Sequence, residues 1–83
     1  MKVRLDNAPV GLFKSEIGTI CLKTEYGEIV TDEKGTFIKV DAYIVDTGEY
    51  FWGGAETSRA RNDLLVTPLY IEDGRIKESE EKE

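Results

Sequence analysis

The run of residues 36–45, with the turn that follows it, constrains the fold more than any other segment of the chain. The run is rich in β-branched and aromatic residues, and its even positions are all apolar: Ile38, Val40, Ala42 and Ile44. A period of two is typical of a strand with one buried face. Thr47 and Gly48 follow, and glycine readily adopts the positive φ of a two-residue hairpin loop. The segment therefore predicts a β-hairpin.

This hairpin sorts its aromatic residues onto two faces. With a Thr47-Gly48 loop, the direct pairs are Val45 with Tyr50, Ile44 with Phe51 and Tyr43 with Trp52. Directly paired residues share a face, so Phe51 joins the core-facing row. The other face collects the rings of Tyr43, Tyr50 and Trp52. An exposed aromatic patch indicates a binding surface, whereas burial under a terminal segment of the same chain is the alternative.

The remaining chain predicts an all-β fold. Short strands separated by turns are expected at residues 3–5, 19–26, 28–31, 36–45 and 64–71, with a small hairpin at Asp73-Gly74. This spacing favours a small antiparallel barrel of SH3-like type, with an OB-like barrel or a sandwich as alternatives. Residues 55–63 form either a short helix or a long loop. The predicted core is Ile20, Leu22, Ile38, Val40, Ala42, Ile44, Phe51, Leu65 and Val66.

Length and composition predict one small domain. The chain has 83 residues, of which 34% are charged and 40% hydrophobic. Residues 1–76 are expected to fold as a unit, and residues 77–83 form an acidic tail without apolar side chains that is predicted to be disordered. No apolar run approaches the roughly 20 residues of a membrane span. Because charge enters at Lys2, no signal peptide is expected and the predicted location is cytoplasmic.

The residue inventory argues against an enzyme. Histidine is absent and Cys21 is the only cysteine, which excludes histidine-based triads, an internal disulfide and the usual zinc sites. Ile44-Val45-Asp46-Thr47-Gly48 is similar to the strand and Asp-Thr-Gly motif of aspartic proteases, but the likeness covers only these five residues, and Asp-Thr-Gly is also an ordinary turn. We therefore predict no catalytic residue, no metal site and no cofactor.

Charge also limits the partners. The formal net charge is −6, so the phosphate backbone of a nucleic acid would be repelled. An acidic surface is compatible with a basic site on a partner protein, although ordinary solubility is the simpler reason for the charge. We predict no nucleic-acid partner and no membrane partner.

Several segments carry a loose resemblance to a class of proteins. In chain order they are Pro9-Val10-Gly11-Leu12-Phe13, Leu22-Lys23-Thr24-Glu25-Tyr26, Ala42-Tyr43-Ile44-Val45 with Gly48-Glu49-Tyr50-Phe51-Trp52-Gly53-Gly54, and Leu65-Val66-Thr67-Pro68. Together they resemble small β-proteins of unassigned function encoded by bacteriophages and prophages. The resemblance implies a compact accessory protein of a phage, with binding and modulation of a host protein as one such role, and implies no catalytic residue.

Three hypotheses for function follow. The first is a non-enzymatic protein-binding module, because tyrosine, tryptophan and arginine dominate interface hot spots. Its predicted contact residues are Tyr43, Tyr50, Trp52, Arg59 and Arg61. The second is a small-molecule or nucleotide-binding protein that stacks its ligand on the same rings, with the two arginines holding an anion. The third is a self-associating structural protein in which an edge strand or the aromatic patch forms a homodimer.

Overall fold

A computed structural model describes residues 1–78, and antiparallel strands make up most of them. The strands are β1 (Val3–Arg4), β2 (Gly11–Lys14), β3 (Ile20–Asp32), β4 (Gly35–Ile44), β5 (Leu65–Glu72) and β6 (Arg75–Glu78). A 3-10 helix covers Leu5–Asn7, and the single α-helix, α1, covers Ser58–Asn62. The predicted all-β class is therefore confirmed, and the segment 55–63 holds the short helix.

The strands form an open sheet. Their order is β1-β5-β2-β3-β4, and β6 pairs with β5 beside this path. All pairings are antiparallel. Because β1 and β4 stand at opposite ends of the order, the sheet is not closed within residues 1–78, and a barrel is not confirmed.

The hairpin after β4 has a different register from the predicted one. Its loop contains residues 45–48 rather than Thr47-Gly48 alone, because the Gly48 N–H donates to the Ile44 carbonyl at 2.7 Å. The bridge joins Tyr43 to Tyr50, and the Phe51 N–H donates to the Ala42 carbonyl at 2.8 Å. The predicted pairing of Tyr43 with Trp52 was therefore wrong by two residues. A shift of two keeps every side chain on its face, so the predicted sorting of the aromatic residues survives.

The core differs in part from the predicted one. Its buried apolar residues are Leu5, Ala8, Phe13, Cys21, Ala42, Phe51 and Val66, with Val3, Val40, Ile44 and Leu64 packed against them. Ala42, Phe51 and Val66 confirm the prediction, and Ile20 is half-buried. Leu22, Ile38 and Leu65 were wrongly placed in the core, since all three are exposed.

The pairing of β3 explains the first of these errors. Cys21 lies opposite Ile44, and Lys23 lies opposite Ala42, so the odd positions of β3 face inward and Leu22 faces outward. Alternation alone favoured the other face because Lys23 is charged. Its ammonium group is buried and donates to the carbonyls of Leu5, Asp6 and Ala8 at 2.9, 3.2 and 2.6 Å. Burial lowers the pKa of Lys23, and the negative charge of Asp6 opposes this shift.

A bulge explains the exposure of Ile38. Between the pairs Lys23 with Ala42 and Gly27 with Val40, β3 advances four residues while β4 advances two. The Thr24 hydroxyl lies within this bulge, where it accepts the Tyr26 N–H at 3.1 Å. Bulges bend a strand, and beyond this one the hairpin is paired only within itself, which leaves Ile38 59% exposed opposite Ile29.

The predicted end of the domain falls within β6. Lys77 pairs with Tyr70 in the β5–β6 ladder, and Glu78 forms an ion pair with Lys14 of β2. Lys77 and Glu78 therefore belong to the sheet rather than to a disordered tail. The rest of the predicted tail, residues 79–83, lies outside the described residues.

Candidate functional site

Three of the predicted contact residues form one aromatic cluster, which we define as Tyr43, Tyr50 and Trp52. The Tyr43 and Tyr50 ring centroids are 5.5 Å apart with an interplanar angle of 84°. The Tyr50 and Trp52 centroids are 5.6 Å apart at 63°. Both pairs have the edge-to-face geometry that aromatic quadrupoles favour. The register shift thus brings together the rings that the sequence placed on one face.

The aromatic cluster is partly open to solvent. Tyr43 is 38% exposed and Trp52 is 41% exposed, whereas Tyr50 between them is half-buried. The Tyr50 hydroxyl donates to the Val40 carbonyl at 3.2 Å, and burial raises the pKa of this tyrosine. Residues 1–78 therefore leave the two outer rings accessible while fixing the central one.

Lys39 lies over this cluster, although it is not one of the predicted contact residues. Its ammonium nitrogen is 5.1 Å from the Tyr50 ring centroid and 5.4 Å from that of Trp52, which are cation–π distances. Lys39 shares the odd parity of Tyr43 on β4, and this parity was the sequence signal for its position. Lys39 also lies 3.7 Å from a Glu28 carboxylate oxygen, so the rim of the cluster carries an ion pair beside the rings.

Arg61 lies beneath the cluster rather than on its surface. The residue is fully buried, and its Nε and Nη1 donate to the carbonyls of Phe51 at 2.5 Å and Val40 at 2.6 Å. Its guanidinium carbon is 4.4 Å from the Tyr50 ring centroid. Burial lowers the pKa of Arg61, and the nearby Tyr50 opposes this shift. In this arrangement Arg61 supports the rings from below.

Arg59 lies at a different place, beside the turn between β3 and β4. Its Nε and Nη2 each donate to a carboxylate oxygen of Asp32 at 2.7 Å, and its guanidinium carbon is 4.6 Å from the Phe37 ring centroid. The hydrogen bond from Arg59 is the main reason that the pKa of Asp32 falls to about 2. Arg59 thus ties α1 to the hairpin, and its bidentate pair occupies the groups that would hold an anion.

A cleft of about 400 Å³ adjoins this ion pair. Its lining residues are Val30, Asp32, Glu33, Lys34, Phe37, Thr57, Ser58 and Arg59. The floor is apolar and the rim carries both signs of charge, so the cleft does not select one ligand chemistry.

The helix α1 also closes one edge of the sheet. Thr57 is its N-cap and accepts the Ala60 N–H on its hydroxyl at 3.0 Å, which satisfies one of the free N–H groups of the first turn. Arg61 donates to the Val40 carbonyl at 2.6 Å, and Asn62 donates through Nδ2 to the Ile38 carbonyl at 2.6 Å. With the Phe51 bond to Ala42, alternate carbonyls of β4 are satisfied, and we call this side of β4 the closed edge.

Comparison with known proteins adds no relative: no protein-family model matches the chain, and neither the curated proteins nor the solved structures contain a match. No helix within residues 1–78 is long and apolar enough to cross a membrane. The geometry of the described residues therefore carries the functional argument.

Proposed function

We propose that this chain is a non-enzymatic protein-binding module whose contact surface is the aromatic cluster with Lys39 at its rim. The observation that carries the proposal is the partial exposure of Tyr43 and Trp52 within one cluster of rings. Exposed clustered aromatic side chains are unusual on a protein with no use for them, and tyrosine and tryptophan are the side chains that most often dominate interface energies.

The support beneath the rings strengthens this proposal. Tyr50 is held by its hydroxyl bond to Val40 and by the Arg61 guanidinium below it. A surface whose side chains are already ordered loses little conformational entropy on binding, which raises affinity. Arg61 is in this view a positioning residue. Arg59 contributes by holding α1 to Asp32 of the β3–β4 hairpin, rather than by direct contact with a partner.

Binding measured with matched variants tests the proposal. A partner isolated by affinity capture is first identified, and its dissociation constant is then measured for wild type, Tyr43→Ala and Trp52→Ala. Loss of a hot-spot side chain costs about 2 kcal/mol or more, so Trp52→Ala should weaken binding at least about 30-fold. Tyr70→Ala is the control, because Tyr70 is exposed to a similar degree on β5.

The control decides the interpretation. Unchanged affinity of Trp52→Ala, with the fold retained by circular dichroism, would remove the aromatic cluster from the proposal. Equal weakening by Tyr70→Ala would indicate a surface elsewhere or a general loss of structure.

The two other hypotheses have less support. A nucleotide-binding protein needs a free cation beside the rings, but Arg59 is engaged by Asp32, Arg61 is buried, and Lys39 lies 3.7 Å from a Glu28 carboxylate oxygen. A thermal shift with a nucleotide panel would reveal such binding. Self-association through the aromatic cluster would appear as a dimer in light scattering, and Trp52→Ala would abolish it.

Three more specific statements also belong to this proposal: an SH3-like arrangement of the strands, an accessory role in a phage and a cytoplasmic location. An SH3-like arrangement is compatible with the size of the antiparallel sheet, which is open within residues 1–78. A phage accessory role rests on the sequence resemblance alone, and a cytoplasmic location rests on the composition and the N-terminal charge.

A further inference from the structure

One side of β3 is partly uncovered. This strand has 13 residues, but β2 pairs only with Ile20 to Lys23 of it. Beyond the bulge, residues 27–32 pair with β4 on one side and with no other strand of residues 1–78. We call the side of residues 27–32 away from β4 the open edge. At about 3.3 Å per residue it is roughly 20 Å long.

The ladder identifies the backbone groups that point out of the open edge. On β4, the carbonyls of Ile38 and Val40 point away from β3, because Asn62 and Arg61 bind them from the other side. In an antiparallel pair, directly opposite residues either bond to each other or both point away. Ile29 lies opposite Ile38, and Gly27 lies opposite Val40. The N–H and C=O groups of Gly27, Ile29 and, by the same alternation, Thr31 therefore face outward.

Apolar side chains accompany these groups. Ile29 is 76% exposed, and Ile38, its direct neighbour across the pair, shares the same face. An exposed edge with apolar side chains is a template for another strand.

Charge selects the occupant. The hairpin carries four carboxylates, Glu25, Glu28, Asp32 and Glu33, against Lys34 and Lys39, and the whole chain has a net charge of −6. Arg59 binds Asp32, and Lys39 lies 3.7 Å from Glu28, so Glu25 and Glu33 carry the excess negative charge at the two ends of the open edge. A second copy paired antiparallel about Ile29 would place Glu25 of each copy opposite Glu33 of the other. Like charges directly opposite across strands are unfavourable. An extended segment carrying positive charge is attracted to the same edge.

We propose that the open edge binds an extended segment of a partner protein in which apolar and basic residues alternate, by addition of that segment as a strand beside β3. Residues of the segment opposite Gly27, Ile29 and Thr31 lie on the isoleucine face and are apolar. Their neighbours lie on the face of Glu28, Val30 and Asp32 and are basic, because Glu25 and Glu33 add negative charge at both ends of the edge. The backbone supplies the affinity and the alternation supplies the specificity. This surface is distinct from the aromatic cluster.

Amide hydrogen exchange with a model peptide tests the proposal. The probe is a capped nine-residue peptide of alternating lysine and valine, added in excess to the full chain. In the free protein, the Ile29 and Thr31 amides should exchange rapidly, whereas the Glu28 and Val30 amides, bonded within the hairpin, are slow. With peptide, exchange at Ile29 and Thr31 should slow by at least about tenfold, since backbone pairing protects amides.

Matched probes and variants complete the experiment. A peptide of alternating glutamate and valine, and one with the same lysines and valines in separate blocks, should give no protection. Ile29→Pro removes an outward N–H and should abolish protection at Thr31, while Trp52→Ala should leave it unchanged. The proposal fails if the alternating peptide gives no protection, if all three peptides protect equally, or if Ile29 and Thr31 are already protected in a dimer seen by light scattering.

Discussion

The closed edge of β4 and the open edge of β3 bound the same hairpin but are treated in opposite ways. On the closed edge, side chains of α1 donate to the Val40 and Ile38 carbonyls and the Phe51 amide donates to Ala42. On the open edge, the pairing of β3 with β2 ends at Lys23. Residues 27–32 pair with β4 on one side and with no other strand of residues 1–78. A helix of five residues therefore covers one edge. On the other edge, acidic side chains oppose pairing with a second copy of the chain.

The difference shows how a short helix contributes to a β-protein. Five residues bury little apolar surface, so α1 cannot stabilise the fold by packing alone. Its contribution is to present two donors at the spacing of alternate carbonyls along a strand. Removal of a donor leaves a buried carbonyl unsatisfied, which costs more than the loss of an exposed contact.

Arg61→Met should have the largest effect on this comparison. It removes two hydrogen bonds from a charged donor, each contributing about 1.5–3 kcal/mol, offset in part by the relief of a buried charge, so the free energy of unfolding should fall by about 3 kcal/mol. Urea unfolding gives the value. The matched control is Arg59→Met on the same helix, where the ion pair is partly exposed and its loss should cost clearly less. Similar losses for both variants would contradict the role given to Arg61.

Asn62→Ala should have an intermediate effect. It removes the donor to the Ile38 carbonyl without removing a charge, so the expected loss is about 1 kcal/mol. Thermal unfolding followed by circular dichroism measures it. Glu56→Ala, an exposed change shortly before α1, should stay within about 0.5 kcal/mol of wild type. If Asn62→Ala behaves like Glu56→Ala, the edge is held by Arg61 alone.

The Asp32–Arg59 pair should make the hairpin turn sensitive to acid. The pKa of Asp32 is about 2 in the folded chain and 3.8 ordinarily, so its contribution to stability is present above about pH 4 and is lost as the pH falls toward 2. Melting temperatures of wild type and Asp32→Asn should therefore differ at neutral pH and converge toward pH 2. Because the pair is partly exposed, the difference is small and decreases with salt. A constant difference across this pH range would contradict the assignment.

Ile29→Pro should have the smallest effect on stability. Its N–H points out of the open edge, so proline removes no ladder bond there, and the cost should stay below about 1 kcal/mol. Val30→Pro is the matched control, since Val30 pairs with Phe37 and its N–H points into the ladder, where proline costs about 3 kcal/mol or more. Urea unfolding of both variants compares them. Equal destabilisation would show that Ile29 is paired.

The sequence predicted the parts of the fold that depend on local chemistry. The alternation of residues 36–45 and the aromatic run after them predicted the hairpin and the shared face of Tyr43, Tyr50 and Trp52, and parity protected this result from a register error of two residues. For residues 55–63 the sequence left a short helix and a long loop as alternatives, and the structure has the short helix. The contact role of these residues stays a prediction.

The sequence did not predict the long-range choices. The charge of Lys23 predicts an outward side chain, but the 3-10 helix and the residue after it place three carbonyls around its ammonium group. The local sequence suggests a surface cation at Arg61, but the fold buries it and it donates to the carbonyls of Phe51 and of Val40 in β4. In both cases the partner lies more than nine residues away along the chain, so no local pattern contains the information.

By itself, the sequence determined the β class, the hairpin after β4 and the face on which its rings lie, because turn chemistry and side-chain alternation act between near neighbours. Only the tertiary structure decided which face of β3 is buried, which arginine is buried and which edge stays open. These depend on where distant backbone carbonyls find donors, and a buried carbonyl is satisfied only by a group that the whole fold brings to it.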